Sequence, residues 1–196
     1  MFTMTLPAPV QEAIETLQQY GHAAYVVGGC VRDSLRGMVP HDYDITTSAR
    51  PEEVAAAFCG RTLIETGLKH GTQTLHSGGM DLEITTFRTD GVYEDHRHPA
   101  AVTFARTLEE DLARRDFTIN AMAYHPQCGL VDLFGGEADL AAGVIRCVGA
   151  PAQRFDEDAL RMLRALRFAA VLGFEIEADT AGALLAQKDL LTAVSA

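Results

Sequence analysis

Apolar and polar positions alternate along this chain in a way that divides it into two stretches of different character. After Pro9, apolar residues recur at Val10, Ile14 and Leu17, a spacing that predicts a first helix ending near Gly21. Residues 23–27 (AAYVV) form an apolar run of strand length that leads straight into Gly28 and Gly29. Residues 31–36 read as a short helix closed by Gly37, and residues 43–46 as a strand. Pro51, followed by Glu52 and Glu53, marks a helix start for residues 51–58. Residues 62–64, 73–76 and 82–88 read as strands, with Gly78 and Gly79 as a hairpin turn between the last two. Residues 89–103 are polar, carry Gly91 and Pro99, lack any period and read as a long loop of the kind that often serves function. Helical spacing returns over 108–114 and 118–123, while 130–133 and 144–148 are strand-like. Beyond Pro151 the pattern is helical, over 155–172 and 180–187, with no strand signal. The expected organisation is an α/β head over residues 1–149 followed by a helical segment over residues 150–196.

Composition narrows the function classes. A length of 196 residues suits one domain, or one domain with a small appendage. With 47% hydrophobic and 22% charged residues, the chain can build a packed core and is not a disordered segment. No apolar stretch approaches the ~20 residues of a membrane span, and the N-terminus lacks the basic region of a signal peptide. Cys30, Cys59, Cys128 and Cys147 are scattered without a CxxC pair, which suits a reduced cytoplasm better than a disulfide framework or a zinc site. Sixteen Lys and Arg against 27 Asp and Glu give a net charge of −11, which excludes a general nucleic-acid binder. Any nucleic-acid role must rest on a local basic site, on metal ions that neutralise carboxylates, or on parts outside this chain.

Five constellations carry candidate chemistry. Gly28-Gly29-Cys30-Val31-Arg32-Asp33 joins a strand to a helix; two glycines admit close backbone approach, a helix start offers N–H groups to phosphate, and Arg32 adds a cation of bidentate reach. A tight strand–helix turn accounts for the same glycines equally well, and no P-loop signature is present. Asp42-Tyr43-Asp44 places two carboxylates on one strand face; their repulsion calls for a divalent cation such as Mg²⁺, unless the pair is a solvated strand end. Glu83, in a strand with Asp81 and Thr85 on its face, is either a third acid beside that pair or part of an exposed hairpin. Arg114-Arg115-Asp116-Phe117-Thr118-Ile119-Asn120 sets two adjacent cations in an acidic protein, with Asp116 also suited to cap the next helix. On the helix expected after Pro151, Asp158, Arg161, Arg164 and Arg167 fall on one half and Met162, Leu163, Leu166, Ala169 and Ala170 on the other. Their bland reading is a row of i,i+3 ion pairs. His96-Arg97-His98 reads as a polar loop contact and Cys30 as a packing residue.

Together, GGxxRDxxxG, then DxD, then a strand ending ExTTFR, then RRDxxxN, then EDxxRxxR, are far more specific than any one of them. Their order and spacing resembles the class II tRNA nucleotidyltransferases, the CCA-adding enzymes and their bacterial poly(A) polymerase relatives. The likeness runs from about residue 10 to about 185; residues 88–104 are similar to the family's flexible loop, and Val131–Gly136 (VDLFGG) to its turn after the head. It implies an α/β fold of α+β type: a polymerase-β-like head with a small mixed sheet flanked by helices, then a helical neck.

The resemblance also implies roles. Asp42 and Asp44 would be catalytic and hold Mg²⁺; Gly28, Gly29 and Arg32 would cradle the triphosphate of ATP or CTP. Arg115, Asp116 and Asn120 would contact ribose and phosphates, Asp158 and Arg161 the base edge, and Arg164 and Arg167 would support that site. The implied reaction is template-independent addition of CMP and AMP to the 3′ end of tRNA, with poly(A) polymerase or a catalytically incomplete nucleotide-binding fragment as alternatives. The family's tRNA-binding helical domains are expected outside this chain, which reads as a truncated form or as one part of a two-polypeptide enzyme.

Overall fold

The structure, a computed structural model, describes residues 2–67, 70–90 and 102–193. Helix α1 (Ala8–Gln19) forms where expected and buries the stripe Val10, Ala13, Ile14 and Leu17. Strand β1 (Ala24–Val27) runs through Gly28 into helix α2 (Gly29–Leu35), and β2 (Asp44–Thr47) into helix α3 (Pro51–Ala57). Strands β3 (Thr62–Gly67), β4 (Thr72–Ser77) and β5 (Met80–Thr86) form an antiparallel meander whose last turn is Gly78–Gly79. After β6 (Arg88–Asp90) and β7 (Val102–Phe104) come helix α4 (Leu108–Ala113), a 3₁₀ turn at Thr118–Asn120, and strands β8 (Met122–His125) and β9 (Gly129–Asp132).

Seven of these strands pair as one mixed sheet, in the order β3-β4-β5-β2-β1-β8-β9. Strand alternation divides its side chains into two faces. Val26, Ile45, Leu75, Leu82, Ile84, Met122 and Tyr124 pack on α1 to α3 as the main core. On the opposite face Leu112 of α4 covers Val27 and Ala123. Asp44 stands beside that cover, opposite Val27 on one neighbouring strand and Glu83 on the other.

Beyond the sheet follow α5 (Gly136–Ala142), β10 (Val144–Ile145), α6 (Pro151–Glu157), α7 (Leu160–Leu172), β11 (Glu175–Ile176) and α8 (Ala178–Ala186). A second core joins Phe155, Met162 and Ala165 of the helical segment to Phe117, Ile119, Ile145 and Cys147. The helical segment is therefore anchored by residues that precede position 149. No helix among the described residues is long and apolar enough to cross a membrane.

Several expectations are corrected. Residues 118–123 are not a helix: a single 3₁₀ turn gives way to β8, whose residues are all buried. A short, fully buried apolar run has no period that separates helix from strand. The loop expected over 89–103 has paired ends, since β6 and β7 form a ladder from Arg88↔Phe104 to Asp90↔Val102; Asp95, His96, Arg97, His98 and Pro99 lie outside the described residues. The single helix over 155–172 is broken, because Asp158 adopts φ −141° and ψ 102° between α6 and α7. Its carboxylate accepts the Leu160 N–H at 2.9 Å, a local bond that competes with helix continuation. The strand over 144–148 is confined to two residues, and these pair in parallel with β11, a strand in the region expected to have none. The strand expected at 43 begins one residue later, leaving Asp42 just before it.

Candidate active site

The turn after β1 is built around Gly28, whose φ of 80° and ψ of −127° suit glycine almost alone. A Cβ there would stand 3.3 Å from Arg115 Nη1. Gly28 and Gly29 thus leave one wall of a cleft of about 510 Å³ as bare backbone. The same cleft is lined by Arg32, Asp44, Arg115, Asp116 and Asn120 of the head, Asp158 from the break between α6 and α7, and Arg161, Arg164 and Arg167 of α7. Asp42 and Glu83 do not line it. Asp42 is exposed just ahead of β2, and Glu83 stands opposite Asp44 in register on β5.

The arginines are held by named partners. Arg32 donates to both oxygens of Asp33 at 2.9 and 3.0 Å and through Nη1 to Asn120 Oδ1 at 2.7 Å. Asn120 Nδ2 in turn donates to Asp116 Oδ1 at 3.2 Å, and Arg164 Nε donates to Asp116 Oδ2 at 2.7 Å. Asp116 also accepts the Phe117 N–H at 2.8 Å, so it fixes local backbone and binds a cation at once. Arg161, only 8% exposed, donates to Glu157 at 2.7 Å and to the Arg154 and Arg114 carbonyls at 3.2 and 3.1 Å. With Arg154, which donates to the Ala113 carbonyl at 3.1 Å, it caps the C-terminal end of α4.

Partial burial, then repulsion from Glu83 and Asp42, push the Asp44 acid above the usual carboxylate range, against the pull of Arg115. This set of hard oxygen donors suits a divalent cation, which would relieve the repulsion. No group of three or more His, Cys, Asp or Glu among the described residues is gathered as a metal cluster; Glu83 stands in register with Asp44, and Asp42 bears on Asp44 through its charge. Cys30 is buried with its thiol pushed up to about 11 by burial and by Asp44, as befits a packing residue.

Arg114, one of the two adjacent cations expected from the sequence, lines the cleft with Arg115, and three contributors escaped sequence reasoning: Leu160 and Phe168 also line it, and Asp111 lies fully buried behind it. Asp111 accepts from Thr46 Oγ1 at 3.0 Å, Arg115 at 3.2 Å, Arg114 at 3.0 Å and the Arg88 N–H at 3.3 Å. Thr46 is two residues from Asp44 on the same strand face, so one carboxylate joins the β2 acid strand to an arginine of the cleft. The adjacency of Asp111 to the arginine pair was a usable signal; for Phe168, inside an apolar run, there was none.

The chain is 48% identical over 198 residues to a CCA-adding enzyme of Lactiplantibacillus plantarum, a match spanning all of this chain and 48% of that protein. Among solved structures it superposes on the Bacillus stearothermophilus CCA-adding enzyme in complex with CTP, with a TM-score of 0.88, 44% identity, and coverage of 97% of this chain and 46% of that one. A tRNA nucleotidyltransferase complexed with a primer tRNA and an incoming ATP analog matches with a TM-score of 0.72 and 36% identity, over 92% of this chain and 50% of that one. The chain spans about half the length of the curated relatives it matches. The family model for the poly A polymerase head domain matches residues 24–146, from β1 to the arginine after β10, and the chain belongs to that family.

Proposed function

We propose that this chain is the nucleotide-binding and catalytic part of a tRNA nucleotidyltransferase that adds CMP and AMP, from CTP and ATP, to the tRNA 3′ end without a nucleic-acid template. The observation that carries the reading is the convergence, in one cleft, of the Gly28–Gly29 backbone, Asp44 and arginines from both the head and α7. In the reaction the RNA 3′-oxygen forms a bond to the α-phosphorus, the bridging P–O bond breaks, and pyrophosphate leaves. Gly28 and Gly29 give the triphosphate room against the backbone, and Arg32 and Arg115 donate to its oxygens. Asp116 and Asn120 hold Arg32 and Arg164 in place and meet the ribose.

Asp158 and Arg161 are proposed to read the base edge, with Arg164 and Arg167 supporting them. Cytosine and adenine both present an amino group beside an acceptor, which a carboxylate and a guanidinium match; uracil and guanine present a different pattern. Nucleotidyltransferases of this family use divalent metal, and we propose Mg²⁺ held by Asp42 and Asp44, with Glu83 alongside. When bound, it neutralises phosphate charge and lowers the pKa of the attacking hydroxyl. Residues 1–149 are proposed as the head and 150–196 as the start of a helical neck, in a protein of the reduced cytoplasm.

The test is direct. With excess MgCl₂, CTP and ATP should bind this chain and raise its thermal midpoint by mass action. In a chain extended to the length of its relatives, Asp44→Ala should lower incorporation into tRNA lacking CCA by several orders of magnitude. Near-normal turnover by that variant would refute the role of Asp44.

A further inference from the structure

We infer that Phe168 is a positioning residue that locks Arg32 of the head to Arg164 of α7, so that the phosphate side and the base side of the cleft are set as one unit. This rests on the nucleotide-binding reading above and assigns a residue that neither the motifs nor the proposed roles include.

Both guanidinium groups stand over the Phe168 ring, with their central carbons 5.3 Å (Arg32) and 5.4 Å (Arg164) from its centroid. That is cation–π distance. The ring is itself fixed: it meets the fully buried Phe117 edge to face at a centroid distance of 5.9 Å and an angle of 84°. Arg164 and Phe168 are neighbours on α7 by their i,i+4 spacing, whereas Arg32 comes from α2 in the head. A second path joins the same two arginines through Asn120 and Asp116, by bonds of 2.7, 3.2 and 2.7 Å. The two paths close a circuit of five side chains with an aromatic ring on one side and an amide–carboxylate pair on the other.

The bonds to Asp33, Asn120 and Asp116 hold the two guanidinium groups at their edges, and Arg164, held by one carboxylate oxygen, is the freer of the two to pivot. The ring supports both groups by their faces without consuming a donor, so the N–H groups not already bonded to Asp33, Asn120 and Asp116 stay available to a ligand. An arginine fixed before binding loses less side-chain freedom when it meets a phosphate. A nucleotide that engages both sides of the cleft gains most from their fixed separation.

The experiment measures CTP affinity of this chain in excess MgCl₂ by calorimetry. Phe168→Leu keeps an apolar side chain against Phe117 but removes the π face; Phe168→Met does the same with a flexible side chain and serves if the leucine variant does not fold. Either should weaken CTP about tenfold, the size of one or two cation–π contacts, and Phe168→Tyr should restore affinity. On an Arg32→Ala background the same change should cost only about two- to threefold, because one of the two contacts is already gone. Equal losses on both backgrounds, no loss at all, or a tyrosine variant as defective as leucine would overturn the inference while leaving the nucleotide-binding reading intact. A wild-type chain that binds neither CTP nor ATP would refute that reading, and this inference with it.

Discussion

Replacing Asp111 with asparagine should destabilise the chain by ~3 kcal/mol while leaving its shape almost unchanged. The carboxylate is fully buried and each oxygen faces only donors or a hydroxyl. Oδ1 receives Arg114 and the Arg88 N–H; Oδ2 receives Arg115 and Thr46. An asparagine must point its NH₂ at one of these sets. At the Oδ1 position it meets N–H groups alone; at Oδ2 the Thr46 hydroxyl can turn to accept, but the Arg115 guanidinium cannot. The amide therefore sits at Oδ2, and both guanidinium groups lose their counter-charge. Their side chains are 17% and 19% exposed, so water screens little of the loss. Breaking a buried ion pair from one side costs ~3–5 kcal/mol, and the acceptor that asparagine retains places this variant at the lower end. For a chain of this size the thermal midpoint should fall by about 6–12 °C. Urea unfolding of wild type, Asp111→Asn and the exposed control Asp189→Asn at pH 7 gives the comparison. A midpoint shift worth less than about 1 kcal/mol at unchanged slope would refute the account of Asp111 as a charged hub. Acid supplies the same perturbation without mutation. Burial opposes ionisation of Asp111, but Arg114 and Arg115 outweigh it and hold the acid below the usual range. The folded state therefore binds this proton less readily than the unfolded state, so the contribution is complete above about pH 4 and is lost as pH falls through the depressed value.

Gly136→Ala should cost about 3 kcal/mol, the upper end of overpacking, because a Cβ would press into the Thr118 carbonyl oxygen and stand 2.9 Å from Met122 Cγ; a urea midpoint within about 0.5 kcal/mol of wild type would contradict it. Gly28→Ala should cost about 1–3 kcal/mol of backbone strain and weaken CTP binding beyond that of a surface control, since it also crowds Arg115; unchanged calorimetric affinity would count against the Gly28 wall. His125 is buried, its Nδ1 accepts the Gln127 N–H at 3.1 Å, and burial pushes its pKa below the usual value. The unfolded chain takes this proton first, so stability is complete above about pH 6.5 and falls as pH drops toward the depressed folded value; the slope of urea midpoint against pH between 7.5 and 5.5 should shrink in His125→Gln, and an unchanged slope would refute the assignment.

Elements whose pattern repeats over several turns, or is bracketed by glycine, were legible in the sequence. Helix α1 has four buried residues at helical spacing, and the Gly78–Gly79 hairpin has strands on both sides. The cleft residues were legible for a related reason: arginine or aspartate beside a glycine pair, or two arginines in an acidic chain, are positions where solvation alone is a poor account. Interruptions and burial were not legible. Asp158 lies in a run whose neighbours keep helical spacing, so the wheel continued through it, although its own carboxylate ends the helix by bonding Leu160. The wheel puts Arg161 on the polar half of the helix without showing its burial, which comes from the Arg154 carbonyl of α6, Glu157 one turn before it and the Arg114 carbonyl at the end of α4, the last brought to it only by tertiary structure. Helix α5 was missed because its seven residues begin with a glycine held by Asp132, which accepts its N–H at 2.9 Å.

The charge of the cleft follows from these tethers rather than from its lining alone. Six arginines line it against Asp44, Asp116 and Asp158, which suggests a strongly positive site in a chain of net charge −11. Behind the lining, however, Asp33 backs Arg32, Asp111 backs Arg114 and Arg115, and Glu157 backs Arg161. Each arginine so backed is fixed in direction at the expense of its net field, so the acids of this protein serve partly to aim its cations. Over the distances that steer a ligand in solution, paired charges cancel; at contact, aimed N–H donors do not. A triphosphate in this cleft therefore meets shaped donors rather than a surplus of positive charge. The neutralisation that the arginines do not supply falls, on the proposed reading, to a divalent ion at Asp42 and Asp44, where repulsion from Glu83 and Asp42 already raises the Asp44 acid above its usual range.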